Sequence, residues 1–376
     1  MTGEYPPGCG GVGDYTRLVA RGLAAAGDTV HVFAPGSLLA DTGVSTHGLP
    51  DHYGVRSLMY LDRILRRLRP DRILVQYTPH AFGYKAMNLP LAVWLNRRAA
   101  RIAPLWVMFH EVAFPFSWRP LKYAVLAGVN RLMARLIAAA AARLFVSIPA
   151  WGELVRRLCP GSPPAEWLPI PSTLPTTADP SAVAAVRRRY APDGTVLVGH
   201  FGTYGPLIAP LLEGVIRTVA ARQPAARFLL LGRGACAFRD QLVKADPTLH
   251  ERLAALAGQL TSEVAAGLNA CDLLVQPYPD GVSSRRTTVM AGLASGRPVV
   301  TNLGLLSEPV WTEGAVAAAA RPDPTALADL LTRLLNDPAA RAELAARAAA
   351  LYQTRFRLDH TLTRLRDRSC LGPTGC

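Results

Sequence analysis

Between Pro277 and Val300 the chain reads PYPDGVSSRRTTVMAGLASGRPVV, which gathers backbone donors, two hydroxyls and two guanidiniums at one helix start. The first turn of a helix leaves N–H groups without intrahelical partners, and their partial positive charge attracts an anion. Arg285 and Arg286 fall in that turn, so the chemistry on offer is the clamping of a phosphate. Ser283 or Ser284 suits the N-cap, and Val289, Met290, Leu293 and Ala294 recur at helical spacing until Gly296 and Pro298 stop the helix. Adjacent side chains on a helix diverge by about 100°, which predicts that at most one arginine points straight at the anion. A solvated arginine pair beside a capped helix is the plainer alternative, and the stretch alone does not choose between them.

A second concentration of chemistry lies where residues 105–109 (LWVMF), a buried strand by their apolar run, end directly in His110 and Glu111. Open α/β sheets bind ligands beyond the carboxyl ends of their strands. His110 can hydrogen-bond a ligand hydroxyl there, and Glu111 can orient His110, bind hydroxyls itself or serve as a plain loop acid. His80, after Thr78 and Pro79, is a weaker loop candidate. Near the start, residues 2–35 read as a Gly-rich turn, a helix over about 12–26 and a strand. Gly10, Gly11 and Gly13 allow ligand oxygens to approach the helix start closely.

The elements that must position these groups alternate. A helix over 54–69 precedes a strand at 72–76; a strand at 143–147 closes a first series. Residues 159–180 are dense in proline, which suits a stiff crossing between domains. The rhythm then resumes with a strand at 196–201, a turn at 202–206, a helix at 211–221 and a strand at 226–231 ending in Gly232-Arg233-Gly234. Gly202 and Thr203 offer backbone donors at the turn; Arg233 is a spare cation whose alternative is a surface arginine. A helix follows Ser262, the strand 272–276 (DLLVQ) feeds the arginine turn, and a strand at 298–302 follows it. Asp323 and Asp337 introduce two helices, and a last helix covers about 359–366. This is an α/β chain of doubly wound type, divided as 1–170, 171–355 and a C-terminal helix and tail at 356–376.

With 376 residues, half of them hydrophobic, the chain can build two cores. Its formal charge of +14 favours polyanionic neighbours: diphosphate ligands, an anionic membrane surface or nucleic acid. No compact basic-aromatic motif supports nucleic acid, so no nucleic-acid partner is expected. Cys9, Cys159, Cys236, Cys271, Cys370 and Cys376 form no C-x-x-C pair, as reduced cytosolic thiols would not, although a bridge or metal at Cys370 and Cys376 is a minor alternative. No signal-peptide pattern is present. The most apolar long stretch, 123–148, is interrupted by Arg131, Arg135 and Arg143 and reads as an amphipathic or buried helix running into a strand. For Arg119, Lys122, Arg131 and Arg135 a solvated face is the favoured reading, with peripheral membrane contact as the alternative.

Strand, Pro-rich turn, helix and then Gly-Arg-Pro-Val-Val resembles the donor-binding segment of the family 4 retaining GT-B glycosyltransferases. The opening Pro-Pro, Gly-Gly-Val-Gly-Asp-Tyr and helix resembles that family's start, and 167–175 (WLPIPSTLP) its interdomain connection. The resemblance implies two Rossmann-like domains facing each other across a cleft, with a nucleotide diphosphate sugar as co-substrate, no other cofactor and no metal. It places His110 near the transferred sugar with Glu111 beside it. Donor binding then falls to Gly10, Gly11, Gly202, Thr203, Arg233, Ser283, Ser284, Arg285 and Arg286. Glu308, in GLLSEPVWTEG, resembles the family's loop acid.

Several positions depart from the family pattern. Its two glutamates correspond to Ser283 and Ala291, and the arginine and lysine of its first second-domain turn to His200 and about Gly205; the segment resembles a sub-branch reading DGxSxRR. The family also begins with a central strand, whereas little precedes the Gly-rich turn here, an expectation of unpaired sheet edges and of an over-short start. The resemblance implies a cytoplasmic transferase acting with retention on a glycan, lipid-linked or small-molecule acceptor, with peripheral contact at the inner membrane face as an addition. Two rivals stand beside it. A GT-B epimerase would need acid and base carboxylates from Glu111, Asp280 and Glu308; a non-catalytic GT-B module would bind a sugar nucleotide or a partner transferase.

Overall fold

The computed structural model describes residues 1–8, 10–117, 119–256 and 261–367. The chain forms two compact units, the first from Met1–Pro169 with the stretch from Leu358 onward, the second from Ile170–Arg357.

In the first unit, α1 (Gly11–Ala25) leads to β1 (Val30–Pro35), which pairs in parallel with β2 (Val44–Leu49). Then come α2 (Val55–Leu68), β3 (Ile73–Tyr77), α3 (Leu89–Arg97), β4 (Leu105–Phe109), α4 (Leu121–Ala140), β5 (Arg143–Val146), α5 (Pro149–Leu158) and β6 (Ala165–Trp167). Strands β3 to β6 form one parallel sheet in chain order. Every residue of β4 and β5 is buried, which is why both read as unbroken apolar runs with a single arginine. The far end of the chain belongs here too: α13 (Leu358–Arg366) packs on α1, with Leu362 against Gly22. Arg143, almost wholly buried, donates to Glu166 and to the carbonyls of Arg364 and Asp367, tying α13 to the sheet.

The residues before the Gly-rich turn are not idle. Thr2 bridges Gln76 in parallel, Gln76 N–H donates to the Met1 carbonyl at 2.9 Å, and Thr2 N–H donates to the Phe33 carbonyl at 3.0 Å. Met1 and Thr2 thus supply a stub of strand between β1 and β3.

The second unit opens with α6 (Pro180–Tyr190) and carries β7 (Leu197–Phe201), α7 (Ala209–Arg222), β8 (Arg227–Leu231), α8 (Ala235–Ala245), β9 (Leu253–Leu256), α9 (Thr261–Ala270), β10 (Leu273–Gln276), α10 (Thr287–Ala294), β11 (Val299–Asn302), β12 (Ala317–Ala319), α11 (Pro324–Asn336) and α12 (Pro338–Leu351). Its six strands are parallel in the order β12-β11-β10-β7-β8-β9. The chain moves outward from β7 in one direction and, after β9, crosses to β10 on the other side. That reversal makes a crevice between the carboxyl ends of β7 and β10, the place where open sheets of this kind bind ligands. Asp323 and Asp337 accept from Thr325 N–H and Ala340 N–H and cap α11 and α12.

Cys159 and Cys271 are buried free thiols and Cys236 is an exposed one; Cys9, Cys370 and Cys376 lie outside the described residues.

Candidate functional site

The loop after β10 is held by the loop after β11. Tyr278 N–H donates to Asn302 Oδ1 at 2.9 Å, Asn302 Nδ2 returns a bond to the Tyr278 carbonyl at 2.7 Å, and Val282 N–H reaches the Asn302 carbonyl. Gly281 sits at φ +87°, and a Cβ there would lie 2.3 Å from Gly304 N, so the close approach of the two loops requires glycine.

This loop places the arginines otherwise than the helical spacing predicts. Helix α10 starts at Thr287, with Arg286 as its N-cap in extended conformation, and no serine side chain caps it. Ser283 and Ser284 are fully buried in the preceding turn. Since Arg285 and Arg286 precede the helix, the divergence of helical neighbours does not apply. Both guanidiniums converge on the Asp280 carboxylate, and Arg286 also lies over the Tyr278 ring at 4.8 Å. Burial alone would raise the Asp280 carboxyl, yet Arg286 and Arg285 hold it below the ordinary carboxylate range.

Ser284 faces another acid. Its N–H donates to Glu308 Oε1 at 3.0 Å and its hydroxyl to the same carboxylate, while Trp311 Nε1 donates to Glu308 Oε2 at 2.7 Å. Burial nonetheless pushes the Glu308 carboxyl above its usual range. Ser283 Oγ is buried without a partner.

The turn after β7 closes the other side of the crevice. Gly202 donates to the Leu231 carbonyl at 3.1 Å, and a Cβ on Gly202 would stand 3.7 Å from Thr288 at the start of α10. Thr203 and Arg233 are exposed beside it. His200, at the end of β7, bonds through Nδ1 to the Val275 carbonyl at 2.8 Å, its Nε2 is buried and unpartnered, and burial lowers the imidazole to about 4. A neutral ring therefore stands where the family pattern has a cation. Gly202 thus neighbours the start of α10, which Ser283, Ser284, Arg285 and Arg286 immediately precede, with the two serines fully buried and Thr203 and Arg233 exposed.

In the first unit, His110 follows β4 as expected and is buried, edge-on to Tyr15 of α1 with ring centres 5.0 Å apart. Gln76 orients it, Nε2 to Oε1 at 2.8 Å, a role that was one of three readings of Glu111. Glu111 instead approaches His80 at 3.8 Å. Burial pushes His110 down to about 3, so the ring is neutral at neutral pH and acts as a hydrogen-bonding group. Gly10 and Gly11 begin α1, whose first turn holds a carboxylate that sequence spacing had not suggested: Glu4 Oε1 accepts from Val12 N–H and Gly13 N–H, both at 3.0 Å. A Cβ on Gly10 would collide with that carboxylate at 2.1 Å, while Gly11 is exposed and unobstructed.

Glu4, Gln76 and Tyr278 are the participants missed from sequence, whereas Asp280 and Glu308 were named there as candidate carboxylates without their present partners.

Residues 10–173 match the family described as Glycosyl transferase 4-like domain, and residues 196–337 the family described as Glycosyl transferases group 1. Among solved structures the chain is similar to Anabaena HepE in complex with UDP, at 17% identity over 97% of this chain and 96% of that one, TM-score 0.69. It is similar to sucrose-phosphate synthase from Thermosynechococcus elongatus, at 16% identity over 95% and 92%, TM-score 0.72. It is also similar to a glycosyltransferase from Rickettsia africae, at 12% identity over 97% and 96%, TM-score 0.70. No curated protein sequence matches the chain. With a glycosyltransferase family match in each half of the chain and the fold shared with these neighbours, the chain is a glycosyltransferase of GT-B fold.

Proposed function

We propose that the chain transfers a sugar from a nucleotide diphosphate sugar to a glycan, lipid-linked or small-molecule acceptor, with retention and without metal or further cofactor. The observation that carries this reading is the convergence of Arg285 and Arg286 on Asp280 just ahead of α10, whose first turn lies beside Gly202 at the switch point of the second unit. That HepE was solved with UDP, with UDP and glucose and with UDP-glucose supports the same donor class here. Cleavage at the anomeric carbon throws negative charge onto the diphosphate. Guanidiniums and backbone N–H groups fixed beside it stabilise the transition state more than the ground state. In retention the acceptor attacks from the face the diphosphate leaves, and the leaving phosphate takes the acceptor's proton. His110, neutral and oriented by Gln76, hydrogen-bonds the transferred sugar, with Glu111 toward the acceptor. The free thiols support a cytoplasmic location. Exposed Leu121, Tyr123 and Val125 beside Arg119 and Lys122 support contact with an anionic inner membrane face.

Titration calorimetry with UDP and UDP-sugars tests the reading. Replacing Arg285 and Arg286 together by Ala is expected to weaken binding by about a hundredfold, roughly 3 kcal/mol. Unchanged affinity overturns it. Slow release of nucleoside diphosphate from the donor separates an enzyme from a binding module. The epimerase reading is disfavoured because Asp280 and Glu308 are already engaged by arginines and by Ser284 and Trp311.

A further inference from the structure

Beside Gly202 the second unit sets unpartnered donors against one unpartnered acceptor. At the start of α10 the N–H groups of Thr287 and Thr288 have no backbone acceptor among the described residues, and no side chain caps the helix. Tyr278 holds the same turn, its hydroxyl 2.7 Å from Thr288 Oγ1, and Arg286 lies over the Tyr278 ring. The acceptor belongs to His200. Its Nδ1 lies 2.8 Å from the Val275 carbonyl, and a carbonyl only accepts, so Nδ1 carries the ring's hydrogen and Nε2 is left as a lone pair. That Nε2 is buried and has no partner. A Cβ on Gly202 would stand 3.5 Å from it and 3.7 Å from Thr288 Cγ2, so the lone pair and the first turn of α10 border the space that this glycine leaves open.

A diphosphate diester offers oxygens that only accept, so it suits the N–H groups and opposes the Nε2 lone pair. Protonation removes the conflict, since an imidazolium donates from both nitrogens. We propose that the second unit binds its diphosphate together with a proton: as the anion enters beside Gly202, His200 Nε2 takes a proton from solvent and donates it in a hydrogen bond to a phosphate oxygen, while Nδ1 keeps its bond to Val275. This rests on the reading of the donor as a nucleotide diphosphate sugar. Burial holds the free ring at about 4, against the pull of the Val275 carbonyl, so it stays neutral at neutral pH until the anion arrives. The titratable and charged groups around it are Tyr204 of its own turn, edge-on at 5.3 Å between ring centres, Cys236 of α8 behind Tyr204, Arg233 in the turn that meets Gly202, and Asp280, Arg285 and Arg286 ahead of α10. None of these is a cause of the lowered value. An opposite charge in contact raises the pKa of an imidazole by about 1 to 3, and a hydrogen bond to the charged form adds to that. The gain in affinity is therefore full below the raised value of the complex and is lost as pH rises through it.

Titration calorimetry of the full chain with UDP-glucose, GDP-glucose and ADP-glucose, run at pH 6 and pH 8 in buffers of different ionisation enthalpy, counts the protons taken up on binding. The diphosphate of these compounds is doubly esterified and holds no proton at either pH, so it contributes none. For the sugar nucleotide that binds, an uptake of about half a proton or more is expected at pH 6 and close to none at pH 8, with affinity about fivefold higher at the lower pH. His200→Asn, whose amide can keep the bond to Val275, should still bind but lose both the uptake and the pH dependence; His200→Gln takes its place if that variant does not fold. Binding without uptake at pH 6 overturns the proposal and leaves the donor reading standing, the lone pair then accepting from a ligand hydroxyl. Uptake that survives in the His200 variants overturns it as well and places the proton elsewhere. Binding of none of the three compounds at either pH overturns the donor reading and this proposal with it.

Discussion

Arg285 and Arg286 adjoin in sequence and converge in space because the chain reaches them in a turn, before helical geometry begins. Asp280 is what they converge on, five and six residues earlier, so an internal carboxylate occupies the cations a diphosphate would use. Asp280→Asn is therefore expected to tighten UDP binding about fivefold, about 1 kcal/mol, and to lower Tm by removing the carboxylate that the two half-buried guanidiniums share; calorimetry and a melting curve check both arms. His110 and His200 carry the pH dependence. Burial lowers both below the ordinary histidine value of 6.5, to about 3 and about 4, so the unfolded chain binds protons that the folded chain refuses. Their contribution to stability is fully present above pH 6.5 and is lost as pH falls toward those values, at about 1.4 kcal/mol per unit for each ring. Denaturant melts between pH 7 and pH 4.5 should show a steep loss, and His110→Gln or His200→Gln should each flatten part of the slope. Candidate residues could be named from the sequence by type and place after a strand. Their partners could not, since Glu308 meets Ser284 across 24 positions and Gln76 meets His110 across 34.

At the scale of elements, the strands easiest to read were those buried on both faces, such as β4 and β10, because burial on both sides demands an unbroken apolar run. Strand β2, VSTHGL, was missed because only its end residues are buried, and β6 because three half-buried residues inside a proline-dense stretch carry no periodic signal. Helix α1 was expected from its Gly-rich start and apolar stripe, but its cap was not. Glu4 satisfies two first-turn N–H groups from outside the helix. Glu4→Ala is expected to cost about 1 kcal/mol, a Tm loss of about 3 °C, because those donors lose their acceptor. An unchanged melting curve would show that water replaces the carboxylate without loss.

At the scale of the whole molecule, excess positive charge and one long apolar helix raise the question of membranes. Helix α4 is long and apolar enough to cross a bilayer by length and composition, with mean hydropathy 1.3 over its best window. One side of it packs on the first unit, burying Ala124, Ala127, Asn130, Met133, Ala134, Ile137 and Ala138. Arg131 is engaged by the Phe114 and Ala127 carbonyls and lies 3.8 Å over the Phe116 ring, so it is no free surface cation. The exposed apolar start of α4 remains, and sedimentation with vesicles containing anionic phosphatidylglycerol is expected to pull down the chain. Leu121→Ser with Tyr123→Ser should reduce the bound fraction at least threefold, and raised salt should do the same. Binding that neither change affects would exclude α4 as the contact.

From the order of amino acids alone came the α/β class, the strand-helix rhythm and the two cationic and imidazole-bearing strand ends, because apolar periodicity and turn residues are local properties of a chain. Folding alone decided which charge answers which: Asp280 for the paired arginines, Glu308 for Ser284, Glu4 for the first turn of α1, and the stub of Met1 and Thr2 between two otherwise separate sheets. Those pairings follow from which loops the parallel sheets bring side by side, and sheet order is a nonlocal outcome that spacing along a chain does not encode.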